Sequence, residues 1–150
     1  MCIDDDPIVL MLNDLILKEQ FFCDQLIKLD KAELALNYFR EQAILPASDW
    51  LLPNIIFLDI NMPVMDGWEF LEIFTKEFPQ FHEKVKVVIL SSSVNPADLE
   101  LAKNHPLVIN FIPKPIGETE LENLKKQESI ASFFWDFSFN CLNIVSIGLF

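Results

Sequence analysis

The chain has 150 residues, of which 23 are acidic and 11 are basic, so its formal net charge at pH 7 is −12. One compact domain is the default at this length, and it is large enough to bury a hydrophobic core. The negative charge disfavours direct binding to nucleic acid, because the protein would repel the phosphate backbone. The three cysteines have no metal-ligand spacing, and aspartates stand where a signal peptide would begin, so we expect a cytoplasmic protein with reduced thiols.

The first part of the chain predicts a strand, a helix, a weaker strand and a second helix. Residues 1–3 are a short apolar start that three aspartates end. Asp6 and Pro7 suit the N-cap and the first position of a helix, and apolar residues follow at helical spacing. A weak strand is predicted near 22–29, and a second helix is predicted over 32–42.

The alternation continues through the rest of the chain. Residues 55–59 are a short run of apolar residues closed by an aspartate, which is typical of a strand buried between two helical layers. Asp66 is predicted to lie in a turn, and Asn95 with Asp98 has the pattern of a capping box. Further strands are predicted over 85–90 and 108–112, and further helices over 68–78, 96–105 and 118–126. Five strands alternating with helices indicate a doubly wound α/β sheet, parallel and covered on both faces.

Polar residues follow four of the predicted strands at their carboxyl ends. Asp4 and Asp5 follow the first strand, Asp59 closes the third, and Ser91 and Lys114 follow the fourth and the fifth. Because these ends share one edge of such a sheet, the side chains are predicted to meet in one cleft. Three neighbouring carboxylates repel each other unless a cation holds them, and Mg²⁺ suits oxygen ligands. The set is suited to transfer of a phosphoryl group onto a carboxylate.

Four motifs at these positions together resemble the response-regulator receiver domain. In the order of that family they are CIDDDPI, FLDINMPVMDGWEFL, VVILSSSVNPADLELA and FIPKPI. The resemblance extends over residues 1–126 and implies a flavodoxin-like fold whose five-stranded sheet has the order 2-1-3-4-5. We therefore predict a receiver domain over 1–127 and an apolar C-terminal extension over 128–150.

The resemblance implies roles for the residues that meet in the cleft. Asp59 would be the phosphoacceptor, and Lys114 would bind the phosphoryl group. Mg²⁺ would be held by Asp5, by Asp59 and by the backbone carbonyl of Asn61, with Asp4 acting through a water molecule.

The resemblance also implies a switch. Ser91 takes the place of the family's switch hydroxyl, and Phe111 takes the place of its switch aromatic, although an aromatic in this strand is expected in the core in any case. Asn61 and Ser93 are placed to tune hydrolysis of the acyl phosphate. The proline after the lysine, Pro115, is expected to be cis.

These roles predict a phosphoacceptor in a two-component His-Asp phosphorelay rather than an enzyme, with self-phosphorylation and autodephosphorylation as its only chemistry. The donor would be a sensor histidine kinase or a phosphotransfer protein, and a downstream protein would bind the face formed by the fourth helix, fifth strand and fifth helix. The residues after 126 are too few for a DNA-binding effector domain and carry no basic patch, so no nucleic-acid partner is expected. A membrane partner is not expected, and a homodimer is left open.

A haloacid-dehalogenase-type phosphatase is the alternative. That class also uses an aspartate after an apolar strand, with a hydroxyl and a lysine later in the chain. It needs a second aspartate two residues on as the general acid and base. Asn61 stands at that position, and its amide does not exchange protons at neutral pH.

Two features depart from the receiver pattern. Residues 1–3 are shorter than the usual first strand, so we expect lost contacts and a truncated or misassigned start. The apolar segment 130–150 has the length of a membrane span, but Asp136 would cost about 2.5–3.5 kcal/mol at the bilayer centre. Residues 135–141 alternate between apolar and polar, which favours a strand or hairpin that packs on the domain or on a partner. The segment also adjoins the expected output face, and occlusion of that face is a further hypothesis. A poorly ordered or non-native extension and a membrane anchor are the alternatives.

Overall fold

The computed structural model describes residues 1–23 and 25–130, and five strands in this part form one parallel sheet. The strands are β1 (Cys2–Ile3), β2 (Lys28–Leu29), β3 (Ile55–Asp59), β4 (Lys86–Ser91) and β5 (Val108–Pro113). The helices are α1 (Pro7–Glu19), α2 (Ala32–Ala43), α3 (Gly67–Glu77), α4 (Pro96–Asn104) and α5 (Glu118–Lys125). The strand order β2-β1-β3-β4-β5 confirms the predicted flavodoxin-like fold.

Strand β1 is short but lies inside the sheet, between β2 and β3. Cys2 and Ile3 are fully buried and pair with β2 on one side and with β3 on the other. The pairing continues beyond the strand, because the Phe57 amide donates to the Met1 carbonyl (2.9 Å) and the Asp4 amide donates to the Leu29 carbonyl (3.1 Å). The main chain on both sides of β1 is therefore fixed by its neighbours, and the aspartate that follows it is held in place.

Strand β2 is much shorter than the sequence predicted. The prediction began near Phe22, but the chain turns at Phe21, which has a φ of 50° after the end of α1. The Phe22 ring instead packs edge-on against Phe57, with 5.7 Å between the ring centroids. The Phe22 side chain, which the sequence assigned to a strand, therefore packs in the core under α1.

Two hydrophobic clusters cover the two faces of the sheet. One cluster lies under α2 and α3 and is rich in aromatic rings, with Phe39 and Phe74 4.7 Å apart between centroids. The other lies under α1 and α5 and includes Leu17, Leu121 and the fully buried Ile130. The sheet is thus buried on both faces, as its unbroken apolar strands predict.

The first residues of the predicted extension, 128–130, follow α5, and Ile130 belongs to the cluster under α1 and α5. Residues 128–130 are helical, and the strand or hairpin predicted over 135–141 lies outside the described residues. In the described part of the chain, no helix is both long enough and apolar enough to cross a membrane.

The capping box lies at α3 and not at α4, where the sequence pattern predicted one. Asp66 is the N-cap of α3, where its carboxylate accepts from the Glu69 amide (2.8 Å) and the Glu69 carboxylate accepts from the Asp66 amide (3.1 Å). At α4 the Asn95 side chain caps the helix, but Asp98 accepts a hydrogen bond from Trp68 Nε1 (3.0 Å). Asp98 therefore connects α4 to α3, whereas the longer side chain of Glu69 reaches the N-cap residue of its own helix.

The first residue of α3, Gly67, touches the end of β3. A Cβ atom there would lie 2.7 Å from both the Asp59 carbonyl oxygen and the Ile60 Cα atom. Both atoms belong to the main chain and cannot swing away. The absence of a side chain at Gly67 therefore lets α3 begin beside Asp59.

We expect Gly67→Ala to lower the free energy of unfolding by about 1–3 kcal/mol, because the added methyl group pushes α3 away from β3. Urea denaturation would measure the loss. Gly117→Ala is the matched control, since a Cβ there meets the end of the flexible Glu120 side chain. The control should lose less than about 1 kcal/mol, and equal losses would contradict the close-approach argument.

Candidate functional site

The three aspartates after β1 have two different roles, since one caps α1 and the other two belong to the cleft. Asp4 is fully buried, and its Oδ1 accepts a hydrogen bond from the Asp6 amide (3.1 Å). Asp6 is the N-cap of α1, where its Oδ1 accepts from the Ile8 amide (2.8 Å), as predicted. Asp5 lies between them and is exposed. The cap occupies one carboxylate, so Asp4 and Asp5 are left for the cleft.

Strand β3 brings Asp59 to the same edge of the sheet. Its side chain is buried, and Oδ1 accepts from the Asn61 amide (3.1 Å). Oxygen atoms of Asp4, Asp5 and Asp59 all lie within 4.8 Å of one another. The structure therefore brings together the three carboxylates that the sequence placed at strand ends.

Lys114 joins this cluster from β5. Its backbone amide donates to the Ser91 carbonyl (2.8 Å), and the peptide bond to Pro115 is cis, as expected. The Lys114 ammonium lies 2.5 Å from Asp4 Oδ2 and 2.8 Å from Asp59 Oδ2. Its side chain is 14% exposed, so the ion pairs are largely shielded from solvent. The Lys114 ammonium, from the end of β5, thus bridges the carboxylates at the ends of β1 and β3.

The charges of the cluster are unequal. Burial raises the pKa of the Asp4 carboxyl, the charge of Asp59 adds to that effect, and the hydrogen bond from Lys114 opposes it. Burial alone would lower the pKa of Lys114, but its bonds to the two carboxylates raise that pKa, so the ammonium stays charged. The cluster still holds three carboxylates for one ammonium, and such an excess of negative charge attracts a further cation.

Ser91 closes the cluster from β4. It is fully buried, and its Oγ accepts from Asn61 Nδ2 (3.3 Å) and from the Ser93 amide (3.2 Å). The hydroxyl is therefore tied to the loops after β3 and β4. The Asn61 side-chain contact was missed in the sequence, where nothing couples residues that are 30 positions apart.

Phe111 lies on β5, three residues before Lys114. It pairs in register with Ile89 and packs against the aromatic cluster, but it is half-buried. We expected Phe111 to be buried in the core, and this expectation is wrong in part. The residue is only half-buried because β5 is an edge strand, with no neighbouring strand on one side.

The chain matches the model of the response regulator receiver domain over residues 1–126. A two-component response regulator of known structure from Cytophaga hutchinsonii is 34% identical, with a TM-score of 0.74, and the match covers 82% of this chain and 90% of that one. A response regulator receiver protein from Dyadobacter fermentans is 25% identical, with a TM-score of 0.70, and the match covers 83% and 92%.

Curated relatives are longer proteins. A protein-glutamate methylesterase/protein-glutamine glutaminase from Clostridium acetobutylicum is 29% identical over 118 residues, which are 78% of this chain and 33% of that protein. Response regulator GtcR from Aneurinibacillus migulanus is 27% identical over 78% of this chain and 41% of its own length. This chain therefore spans about a third of the length of the first of these relatives. The receiver match replaces the dehalogenase-type alternative, and the chain belongs to the response-regulator receiver family.

Proposed function

We propose that this chain is a phosphoacceptor of a His-Asp phosphorelay and that Asp59 takes the phosphoryl group. The observation that carries the proposal is the setting of the Asp59 carboxylate, which is 3% exposed. One of its oxygens pairs with the Lys114 ammonium, and the other accepts from the Asn61 amide. A carboxylate held in this way is oriented for attack and lies beside a positive charge that can receive phosphoryl oxygens.

The transfer proceeds from a phosphohistidine of a sensor kinase or phosphotransfer protein. An Asp59 oxygen attacks phosphorus, the phosphorus–nitrogen bond breaks, and the imidazole leaves with the electron pair. Lys114 and the Ser91 hydroxyl stabilise the phosphoryl oxygens as charge moves onto them. Water later hydrolyses the acyl phosphate at a rate that Asn61 and Ser93 influence, which restores the carboxylate.

The donor set of the cleft fits Mg²⁺, because its atoms are hard oxygens and carry excess negative charge. Asp5, Asp59 and the Asn61 carbonyl would hold the ion, and Asp4 would act through a water molecule. When bound, Mg²⁺ neutralises charge on the phosphoryl oxygens.

Phosphorylation is proposed to act as a switch through Ser91. The Ser91 oxygen accepts hydrogen bonds from Asn61 and Ser93, so its O–H can donate to a phosphoryl group on Asp59, and this bond would draw the hydroxyl toward the cleft. Phe111, which is half-buried on an edge strand, would rotate in response. The face formed by α4, β5 and α5 then changes, and a separate protein target reads the change.

The output of this chain is proposed to be protein binding in the cytoplasm, with no enzymatic activity beyond its own phosphorylation and dephosphorylation. The receiver is proposed to occupy residues 1–127, with 128–150 as an extension. The relative named a methylesterase extends far beyond the matched part, so that activity is not carried over to this chain.

The metal site can be tested by comparing Asp5→Asn with Asp6→Asn. Both variants remove one negative charge, and asparagine keeps the helix cap at position 6. We expect Mg²⁺ to raise the melting temperature of the wild type and of Asp6→Asn at similar concentrations. Asp5→Asn should need about 10–100 times more Mg²⁺ for the same shift. Thermal unfolding across a MgCl₂ titration measures this, and equal responses of the two variants would remove Asp5 from the site.

Phosphorylation can be tested with Mg²⁺ and acetyl phosphate, with the intact mass as the readout. We expect the wild type to gain one phosphoryl group that is stable in acid, labile in base and dependent on Mg²⁺. The Asp59→Asn variant keeps the shape of the side chain but lacks the carboxylate, so it should gain nothing. A gain in that variant would reject Asp59 as the acceptor, and no gain in folded wild type would reject the proposed function.

A further inference from the structure

Helix α4 buries very little of its own surface. Ala102 is its single buried residue, whereas α3 buries four residues, including Phe70 and Phe74. The loop that leads into α4, residues 92–97, is exposed throughout. An element with few buried apolar contacts is easily displaced, so the position of α4 depends strongly on each contact that it does make.

Two polar contacts join α4 to α3. At the start of α4, Asp98 Oδ1 accepts a hydrogen bond from Trp68 Nε1 (3.0 Å). At its end, Nε2 of the C-cap residue His105 lies 3.5 Å from Thr75 Oγ1. On both helices the contacts are seven residues apart, which is about two turns. In the described part of the chain, no other side-chain hydrogen bond connects α4 or its C-cap to a different helix.

The bond between Trp68 and Asp98 is the shorter contact and the one nearer to the cleft. Trp68 follows Gly67, which touches the Asp59 carbonyl, and its ring packs against the aromatic cluster. Asp98 lies in the first turn of α4, beyond the exposed loop that follows Ser91. The bond therefore connects the helix after the phosphoacceptor to the helix after the switch serine.

We propose that the Trp68–Asp98 bond is a restraint that holds the first turn of α4 against α3 until Asp59 is phosphorylated. The restraint presupposes the proposed function, because the movement of Ser91 toward the phosphoryl group is what pulls on α4. Gly67 and the buried residues of α3 keep Trp68 in place, so the bond breaks when α4 moves. Its free energy opposes the change of state and thereby sets how readily the output face responds.

Binding of BeF₃⁻, which mimics a phosphoryl group on a carboxylate, tests the restraint. Trp68→Phe keeps an aromatic ring but lacks the N–H donor, and Asp98→Ala lacks the acceptor. We expect each variant to reach half saturation at about 3–10 times less beryllium than the wild type, because one hydrogen bond no longer opposes the switch. The area of the protein-bound ¹⁹F signal measures binding as BeCl₂ is added at fixed NaF and MgCl₂.

The control variants separate a restraint on switching from a general loss of structure. Trp50→Phe also removes one indole hydrogen bond, to the Leu45 carbonyl (3.1 Å), but in the loop before β3, and should bind like the wild type. Asp98→Asn keeps an acceptor oxygen and should stay closer to the wild type than Asp98→Ala does. The double variant Trp68→Phe with Asp98→Ala should gain no more than either single variant, because both remove the same bond. Circular dichroism checks that each variant is folded.

Each outcome of the titration decides a different point. Equal midpoints in the wild type, Trp68→Phe and Asp98→Ala would reject the restraint and leave the proposed function standing. Weaker binding by the two variants would also reject it, because the bond would then belong to the switched state. No bound signal in folded wild type would reject the proposed function and the restraint together.

The indole proton of Trp68 supplies a direct readout of the bond. Its signal in a ¹H–¹⁵N spectrum is assigned by its absence from the spectrum of Trp68→Phe. We expect this proton to exchange with solvent faster once BeF₃⁻ is bound, because it has lost Asp98 as its acceptor. The indole proton of Trp50 should keep its exchange rate. An unchanged rate at Trp68 in the saturated protein would show that the bond survives the switch and would overturn the proposal.

Discussion

The pairing of Lys114 with Asp4 and Asp59 is the interaction on which the site depends. Oxygens of three carboxylates lie within 4.8 Å of one another, and like charges at that separation repel strongly when they are partly buried. The ammonium, at 2.5 Å and 2.8 Å from two of the carboxylates, compensates part of this repulsion. It also connects the ends of β1, β3 and β5, so the ion pairs join the central strand to the edge of the sheet.

This compensation is incomplete, and the remaining negative charge is useful for the proposed chemistry. A site that carries excess negative charge attracts cations, and a bound cation would offset the repulsion between the carboxylates and an incoming phosphoryl group. Ser91 is held by two donors from neighbouring loops and not by the carboxylates. Its hydroxyl is therefore free of the ion-pair network and can change partner when the charge at Asp59 changes.

The two faces of the sheet are built differently. The side under α2 and α3 is filled by interlocking aromatic rings around Phe39 and Phe74. The side under α1 and α5 is mainly aliphatic, and α1 still presents apolar side chains to solvent after its inner face is buried. Ile130, which lies beyond α5, adds to the core on that side.

The sequence by itself determined the order of the elements, the strand ends and the polar residues that stand there. Apolar periodicity is local, so β3 and the Asp6 cap were predictable, and the parallel topology then placed Asp4, Asp59 and Lys114 at one edge. Tertiary structure decided what depends on distances between remote residues. The packing of helices and strands explains the close approach of Gly67 to β3 and the half-burial of Phe111. It also explains why the capping box forms at α3, with Glu69, and not at α4, where Asp98 bonds to Trp68 instead. Tertiary packing also makes β2 short. Local propensity assigned Phe22 to a strand, but its ring packs against Phe57 under α1 instead.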